Sequence, residues 1–279
     1  MNHPFGLNLP RNDDGLATGP RALRRVTELV PTVLEEFVDE VGVDGVVLTL
    51  DGGVDTTVAA SLAVDAVGAD RVMGLVIPSV LDAEAAVPDA EAVASTLDVH
   101  SQRLGLDPLL AAFQHLVGKS DQPTDDLVAT HNVVERLRMA CTYYVANTSD
   151  AIVVGAANRT TRLLGPTTKY GAIAVDCLLL GDLFRTEVDA LARRMNVPDS
   201  ILDRCSQRDL ATGETNAERL GVSPRTVDRA LRLSVDEKLD RRAVADELDI
   251  DPAIVERIET WCAETRHKRH TPMKPSKYV

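Results

Sequence analysis

Aromatic side chains make up only 3% of the 279 residues, so any core must be packed from Val, Leu, Ile and Ala. Lysine is scarce: Lys119, Lys169, Lys238, Lys268, Lys274 and Lys277 are the whole set, and every other basic residue is Arg. Acidic residues outnumber basic ones by 43 to 30, which leaves a net charge of −13. That balance argues against broad nucleic-acid binding, which needs a basic face. An excess of carboxylate also keeps a surface hydrated, as in proteins of halophilic, salt-loving cells. The four cysteines, Cys141, Cys177, Cys205 and Cys262, contain no C-x-x-C pair. A zinc site or disulfide framework is therefore not expected, and the cysteines read as buried, reduced thiols. No apolar run reaches the ~20 residues needed to span a bilayer, and no basic-then-apolar leader opens the chain. The expectation is a soluble, cytoplasmic protein with no membrane partner.

What is present is alternation. A hydrophobic content of 44% suits one large domain, or a domain with a lobe. Residues 1–19 are rich in Asn, Asp, Gly and Pro and read as a flexible arm; the domain proper is expected over 20–279. Helical spacing runs from Pro20 to Val41, with Pro31 as a point of breakage or kinking. Apolar strands are expected at Gly45–Leu50, Val72–Ile77 and Ala151–Gly155, with a weaker one at Val99–Leu106 and a short apolar run at Leu178–Leu180. Helices are expected at Asp55–Val67, Ala90–Leu97, Leu109–Val117, Asp125–Ala146 and Arg185–Met195. Buried strands alternating with helices predict a doubly wound α/β fold, a parallel sheet with helices on both faces. From about 198 to 279 the pattern becomes a small C-terminal helical region, with helices at Thr226–Leu233, Arg241–Leu248 and Ala253–Thr265.

The segment from Asp51 to Thr57 follows a strand and opens a helix. Gly52 and Gly53 let backbone N–H groups approach an anion closely, and the helix N-terminus adds a partial positive charge. Asp55 is placed to hold Mg²⁺, and Thr56 and Thr57 offer hydroxyls. The same residues also suit an ordinary tight turn with Asp55 as a helix cap.

The turn resembles the Ser-Gly-Gly-x-Asp-Ser loop of ATP pyrophosphatases, and further segments resemble the ammonia-dependent NAD synthetase family in order. Asn132 to Met139 is similar to its Asn-x-x-x-Arg-x-Arg-Met helix. Gly155 to Arg159 follows a strand as its Gly-Thr-Gly-Asn-Arg segment does. Thr168-Lys169-Tyr170-Gly171 with Asp176, Gly181 to Thr186, and His267-Lys268-Arg269 resemble three further motifs. The resemblance covers roughly residues 20–274 and implies a Rossmann-like fold, a homodimer, and ATP and Mg²⁺ as cofactors. It implies adenylation of deamido-NAD by ATP with release of pyrophosphate, then attack by ammonia, free or from a separate donor. It implies Gly52, Gly53, Asp55, Thr56 and Thr57 at the ATP phosphates, and Asp55 at the metal. Asp55, Arg185 and Lys268 are implied in catalysis. Arg136, Arg138, Asn158, Lys169, Asp176 and His267 are implied at the substrate.

Departures from the family pattern fall at Asp51 for the loop's first Ser, Thr161 for a metal-binding Glu, and Ala172 for an Asp. The loop around Asp82–Ala86 and the segment Gly213–Ala217 also differ. Two alternatives stay open beside a working synthetase. One is a catalytically degenerate paralogue, a pseudoenzyme that keeps fold and dimer and binds a dinucleotide or a partner. The other is a helix-turn-helix DNA binder, suggested by Leu220 to Leu231 and opposed by the acidic residues around it. The blander alternatives are a solvated helix face for Arg136 and Arg138, a basic helix end for His267-Lys268-Arg269, and an ion pair with Arg for Asp176.

Overall fold

The computed structural model describes residues 7–79, 81, 86–118, 126–202 and 215–270. The strands are β1 (Gly45–Thr49), β2 (Val72–Val76), β3 (His100–Arg103), β4 (Ala151–Gly155) and β5 (Cys177–Leu178). The helices are α1 (Pro20–Val41), α2 (Val54–Val67), α3 (Ala86–Thr96), α4 (Asp107–Val117), α5 (Leu127–Thr148), α6 (Arg159–Leu164), α7 (Arg185–Arg194), α8 (Asp199–Leu202), α9 (Asn216–Leu220), α10 (Pro224–Leu231), α11 (Arg241–Leu248) and α12 (Pro252–Glu264).

The strands pair in the order β3-β2-β1-β4-β5, all parallel. In β1, Val46 and Leu48 point into one core and Val47 into another, as the two-residue period of a strand requires. The first core is completed by α1, α2 and α7, and the second by residues of α4 and α5. The doubly wound fold expected from the alternation is therefore present. The chain runs from β1 outward to β3, then returns to place β4 on the other side of β1. The carboxyl ends of β1 and β4 open a crevice at that reversal, the usual ligand position in such sheets.

Three local expectations are corrected. Helix α1 runs through Pro31 without ending, and Pro31 itself is buried on the side facing the core. Burial of Leu23, Val26, Val30 and Leu34 along the same face outweighs the one lost backbone hydrogen bond. Residues 7–19 are not a loose arm. Leu9 enters the sheet core and Leu16 the C-terminal core, while the Ala17 N–H donates to Glu187 Oε1 at 2.7 Å. The polar composition of this stretch hid two apolar anchors and one buried acceptor. Finally, Cys141, Cys177 and Cys262 are free but half-buried. Burial raises all three thiols, Cys177 and Cys262 to about 11. Cys205 lies outside the described residues.

A separate core gathers α9 to α12 around Leu220, Val227, Leu231, Val244, Val255 and Ile258. Leu164 of α6 and Phe184 join it, so this lobe leans on the crevice side of the sheet. Val227, Asp228, Ala230 and Leu231 of α10 are buried, and nothing in the fold favours reading this helix as a DNA recognition helix. No helix among the described residues is long and apolar enough to cross a membrane.

Candidate active site

The glycine turn sits at the carboxyl end of β1. Gly52 has φ +74°, a conformation that only glycine adopts without strain. A Cβ there would also lie 2.8 Å from Asp89 Cβ and 3.0 Å from Ala90 N, so the turn packs flush against α3. Gly53 then caps α2. The Asp51 carboxylate folds back over this turn. Its Oδ1 accepts from the Gly53 N–H at 2.8 Å and from the Thr56 hydroxyl at 2.5 Å. An anion of the chain itself thus uses donors that a phosphate would need. Thr57 is turned inward instead, and its hydroxyl donates to the Gly53 carbonyl at 2.8 Å.

Asp55, on the first turn of α2, is the hub of the crevice. Asn158 Nδ2 donates to its Oδ1 at 3.0 Å, and Arg185 Nη1 donates to its Oδ2 at 3.0 Å. Burial pushes the Asp55 carboxyl up from its ordinary value, while Arg185 and Asn158 pull it down, in that order of size. Asn158 also caps α6 by accepting from the Thr161 N–H at 2.9 Å. Arg185 opens α7 and lies 3.0 Å from Asp189 as well. Three chain segments that are far apart in sequence thereby meet at one carboxylate, through the N-termini of α2, α6 and α7. The cleft beside it is lined by Asp55, Thr160, Thr161, Arg185, Thr215 and Asp228, with Leu164, Pro166 and Val227 as its apolar wall.

The other candidate residues stand apart from this hub. Arg138 is anchored at the end of β2, donating to the Ile77 carbonyl at 3.0 Å, and pairs with Glu135 at 2.6 Å. Arg136 is exposed and donates to the Lys169 carbonyl at 3.1 Å. Lys169 stacks over Tyr170, 5.2 Å from the ring centre, and Ala172 in the same turn is exposed. Among the described residues Asp176 forms no ion pair with Arg. Its Oδ2 accepts from the Val153 N–H at 2.7 Å and its Oδ1 from the Tyr143 hydroxyl at 3.0 Å, tying β5 to β4. Lys268 donates to the Gly165 carbonyl at 2.7 Å, at the far end of α6 from Asp55. Burial lowers its ammonium from the ordinary lysine value. His267 is exposed and meets the Glu264 carbonyl at 2.9 Å. Residues 82–85 and 213–214, where the family pattern also breaks, lie outside the described residues.

Sequence reasoning missed Asp228 and Thr160. Asp228 is fully buried on α10, and it meets Thr160 and Thr186. An Asp in an amphipathic helix reads as solvent-facing; only its neighbours in space reveal it as a buried acceptor.

Known proteins resemble this chain over most of its length. The NAD synthase family model matches residues 26–272. The NH(3)-dependent NAD(+) synthetase of Halobacterium salinarum is 35% identical over 246 residues, 88% of this chain and 91% of that protein. The Pyrococcus furiosus protein of the same name is 34% identical over 254 residues, 91% and 96% of the two chains. Among solved structures, the NMN synthetase from Francisella tularensis superposes with a TM-score of 0.77 at 27% identity, over 91% of this chain and 98% of the other. The Campylobacter jejuni NH3-dependent NAD synthetase gives a TM-score of 0.74 at 24% identity, over 90% and 98%, and shares the fold. A match that runs from α1 through the glycine turn and the crevice to the end of the C-terminal lobe places this chain in the NAD synthase family.

Proposed function

We propose that this protein is an ammonia-dependent NAD synthetase. In this reading a carboxylate oxygen of deamido-NAD attacks the α-phosphorus of ATP, and pyrophosphate leaves. Ammonia then attacks the activated acyl carbon, AMP departs with the former carboxylate oxygen, and the nitrogen loses a proton. The observation that carries the reading is the convergence on Asp55 of the glycine turn, Asn158 and Arg185 at the topological switch of the sheet. The protein's contribution is positioning and charge neutralisation.

Each Asp55 oxygen accepts one hydrogen bond and keeps acceptor capacity. Among the described residues no group of three or more His, Cys, Asp and Glu converges to hold a metal alone. That donor set fits a Mg²⁺ that arrives on the triphosphate, since this ion commonly takes one or two carboxylates and completes its shell with phosphate and water. Asp55 would hold it, and the ion would neutralise charge on the departing pyrophosphate. Gly52, Gly53 and Thr56 would bind phosphate oxygens once Asp51 turns away, and Thr57 would support that turn from within the helix. Arg185 would offset charge at the leaving group. Lys268 would join it only after releasing the Gly165 carbonyl. Arg136, Arg138, Lys169, Asp176 and His267 would place the dinucleotide, Asn158 orients Asp55, and Thr161 would add a hydroxyl.

The protein is further read as a homodimer. Leu116 and Val117 of α4 and Leu127, Val128 and Tyr144 of α5 are exposed apolar residues on neighbouring helices. A second copy seated on these helices would take that apolar surface out of water.

The test of function is direct. With ATP, deamido-NAD, ammonia and Mg²⁺ in high salt, pyrophosphate and NAD should appear in equal amounts. Absence of both products would refute the assignment and leave the degenerate paralogue standing.

A further inference from the structure

Asp228 is a carboxylate with no exposure, contributed by α10 of the C-terminal lobe. A buried charge persists only where donors surround it. Its Oδ1 accepts from the Thr160 hydroxyl at 2.6 Å. Its Oδ2 accepts from the Thr186 N–H at 2.7 Å and from the Thr186 hydroxyl. The Thr186 N–H is one of the first-turn donors of α7 that no helix carbonyl satisfies, and the positive end of that helix favours an anion there.

These partners are adjacent to the two arms that hold Asp55. Thr186 follows Arg185. Thr160 stands two residues after Asn158, and its oxygen also accepts from the Arg185 N–H at 2.9 Å. Asp228 therefore holds the N-termini of α6 and α7 in register with each other. No other carboxylate in the lobe reaches both helices among the described residues. Asp228 also lines the cleft beside Asp55.

We propose that Asp228 is a positioning residue of the nucleotide site, which couples the C-terminal lobe to the placement of Asn158 and Arg185 around Asp55. This rests on the synthetase reading for its kinetic consequence, though not for its geometric one. A lobe that shifts on the sheet moves Asp228, and with it the two arms. Removing the acceptor leaves the Thr160 hydroxyl free to rotate and the Thr186 N–H unsatisfied, so the arms lose a common reference while Asp55 itself is untouched.

Two variants and one control test this. Asp228→Asn replaces one acceptor oxygen by a donor, and Thr160→Val removes the link to α6 together with the acceptor of the Arg185 N–H, while leaving the Asp228–Thr186 bonds in place. Val255→Ala weakens the lobe core, where Val255 is fully buried, without touching Asp228 or its partners. Hydrogen exchange on the unliganded protein reads the geometry. Amides of Arg185 and Thr186 should exchange about tenfold faster in Asp228→Asn than in Val255→Ala at matched distance from each variant's melting temperature. Steady-state kinetics reads the consequence. The KM for ATP should rise about tenfold in Asp228→Asn and by less in Thr160→Val, and should stay within twofold of the native value in Val255→Ala. Equal exchange in Asp228→Asn and Val255→Ala would overturn the proposal, because Asp228 would then serve folding alone. An unchanged KM for ATP in an active Asp228→Asn would overturn it too. If the native protein shows no turnover, the synthetase reading fails, and the exchange comparison still decides the role of Asp228.

Discussion

Asp51 and Asp55 lie four residues apart on one turn, yet their surroundings give them different work. Asp55 is partly buried and held by a cation and an amide. Asp51 is exposed and bonded to the backbone of the turn. A triphosphate entering the turn must displace that carboxylate or sit beside it, and like charges at close range repel by a few kcal/mol even with an effective dielectric of ~20. Asp51→Ser should therefore tighten ATP binding about tenfold, equivalent to about 1.4 kcal/mol, in a calorimetric titration. Unchanged affinity would show that Asp51 already leaves the turn at no cost. Asp228 makes a different prediction. Burial raises its carboxyl from 3.8 to about 6, opposed by the Thr160 and Thr186 bonds and reinforced by nearby Glu187. Because the folded value is above the unfolded one, the folded state binds more protons between those two values. The contribution of Asp228 to stability is then greatest below pH 3.8 and falls as pH rises to about 6, by about 3 kcal/mol. Denaturant unfolding at pH 4.5 and 7 should show the native protein's advantage over Asp228→Asn shrinking at the higher pH; a constant gap would contradict the raised value.

At the scale of elements, the turn between β1 and α2 is set by one glycine more than the other. Gly52 needs a positive φ and meets the backbone of α3, while Gly53 has φ −85° and faces only the movable Asp51 side chain. Gly52→Ala should cost about 1–3 kcal/mol in urea unfolding from backbone strain alone, with the clash against α3 in addition. Gly53→Ala should cost under about 1 kcal/mol. Equal losses would mean that the α3 contact does not constrain the turn. The strand-and-helix alternation was legible in sequence because buried parallel strands are continuous apolar runs: β1 and β4 are found where Val46-Val47-Leu48 and Ile152-Val153-Val154 lie. The edge strand β3 was harder to place because all four of its residues are exposed, so no face of it is marked by hydrophobicity. The packing of residues 7–19 is not legible in sequence for a related reason. Leu9, Leu16 and Ala17 are too few to show a period, and their burial depends on Glu187 and on a lobe more than 200 residues away.

At the scale of the molecule, the exposed apolar residues of α4 and α5 are the natural place for a second copy. Sedimentation at micromolar concentration should find a species of twice the 30.1 kDa chain. Tyr144, 72% exposed on α5, is the residue to probe. Tyr144→Asp should shift the population to monomer without changing the unfolding midpoint by more than a few degrees, since the side chain contributes little within the monomer. A native protein that sediments as a monomer would remove the dimer from the proposal.

The sequence by itself determined the doubly wound sheet, the glycine turn at the end of its first strand, and membership of a family whose motifs recur in order along the chain. Those features are local: periodicity, glycine spacing and short ordered segments survive without knowledge of the folded shape. Tertiary structure alone decided which charged residues meet. It brought Asn158 and Arg185 to Asp55, sent Asp176 to a backbone N–H instead of an arginine, and put Lys268 at the far end of α6. It also buried Asp228 between two helix N-termini. The energy of a charged side chain is set by partners and solvent within a few ångströms, and sequence spacing carries no record of those neighbours.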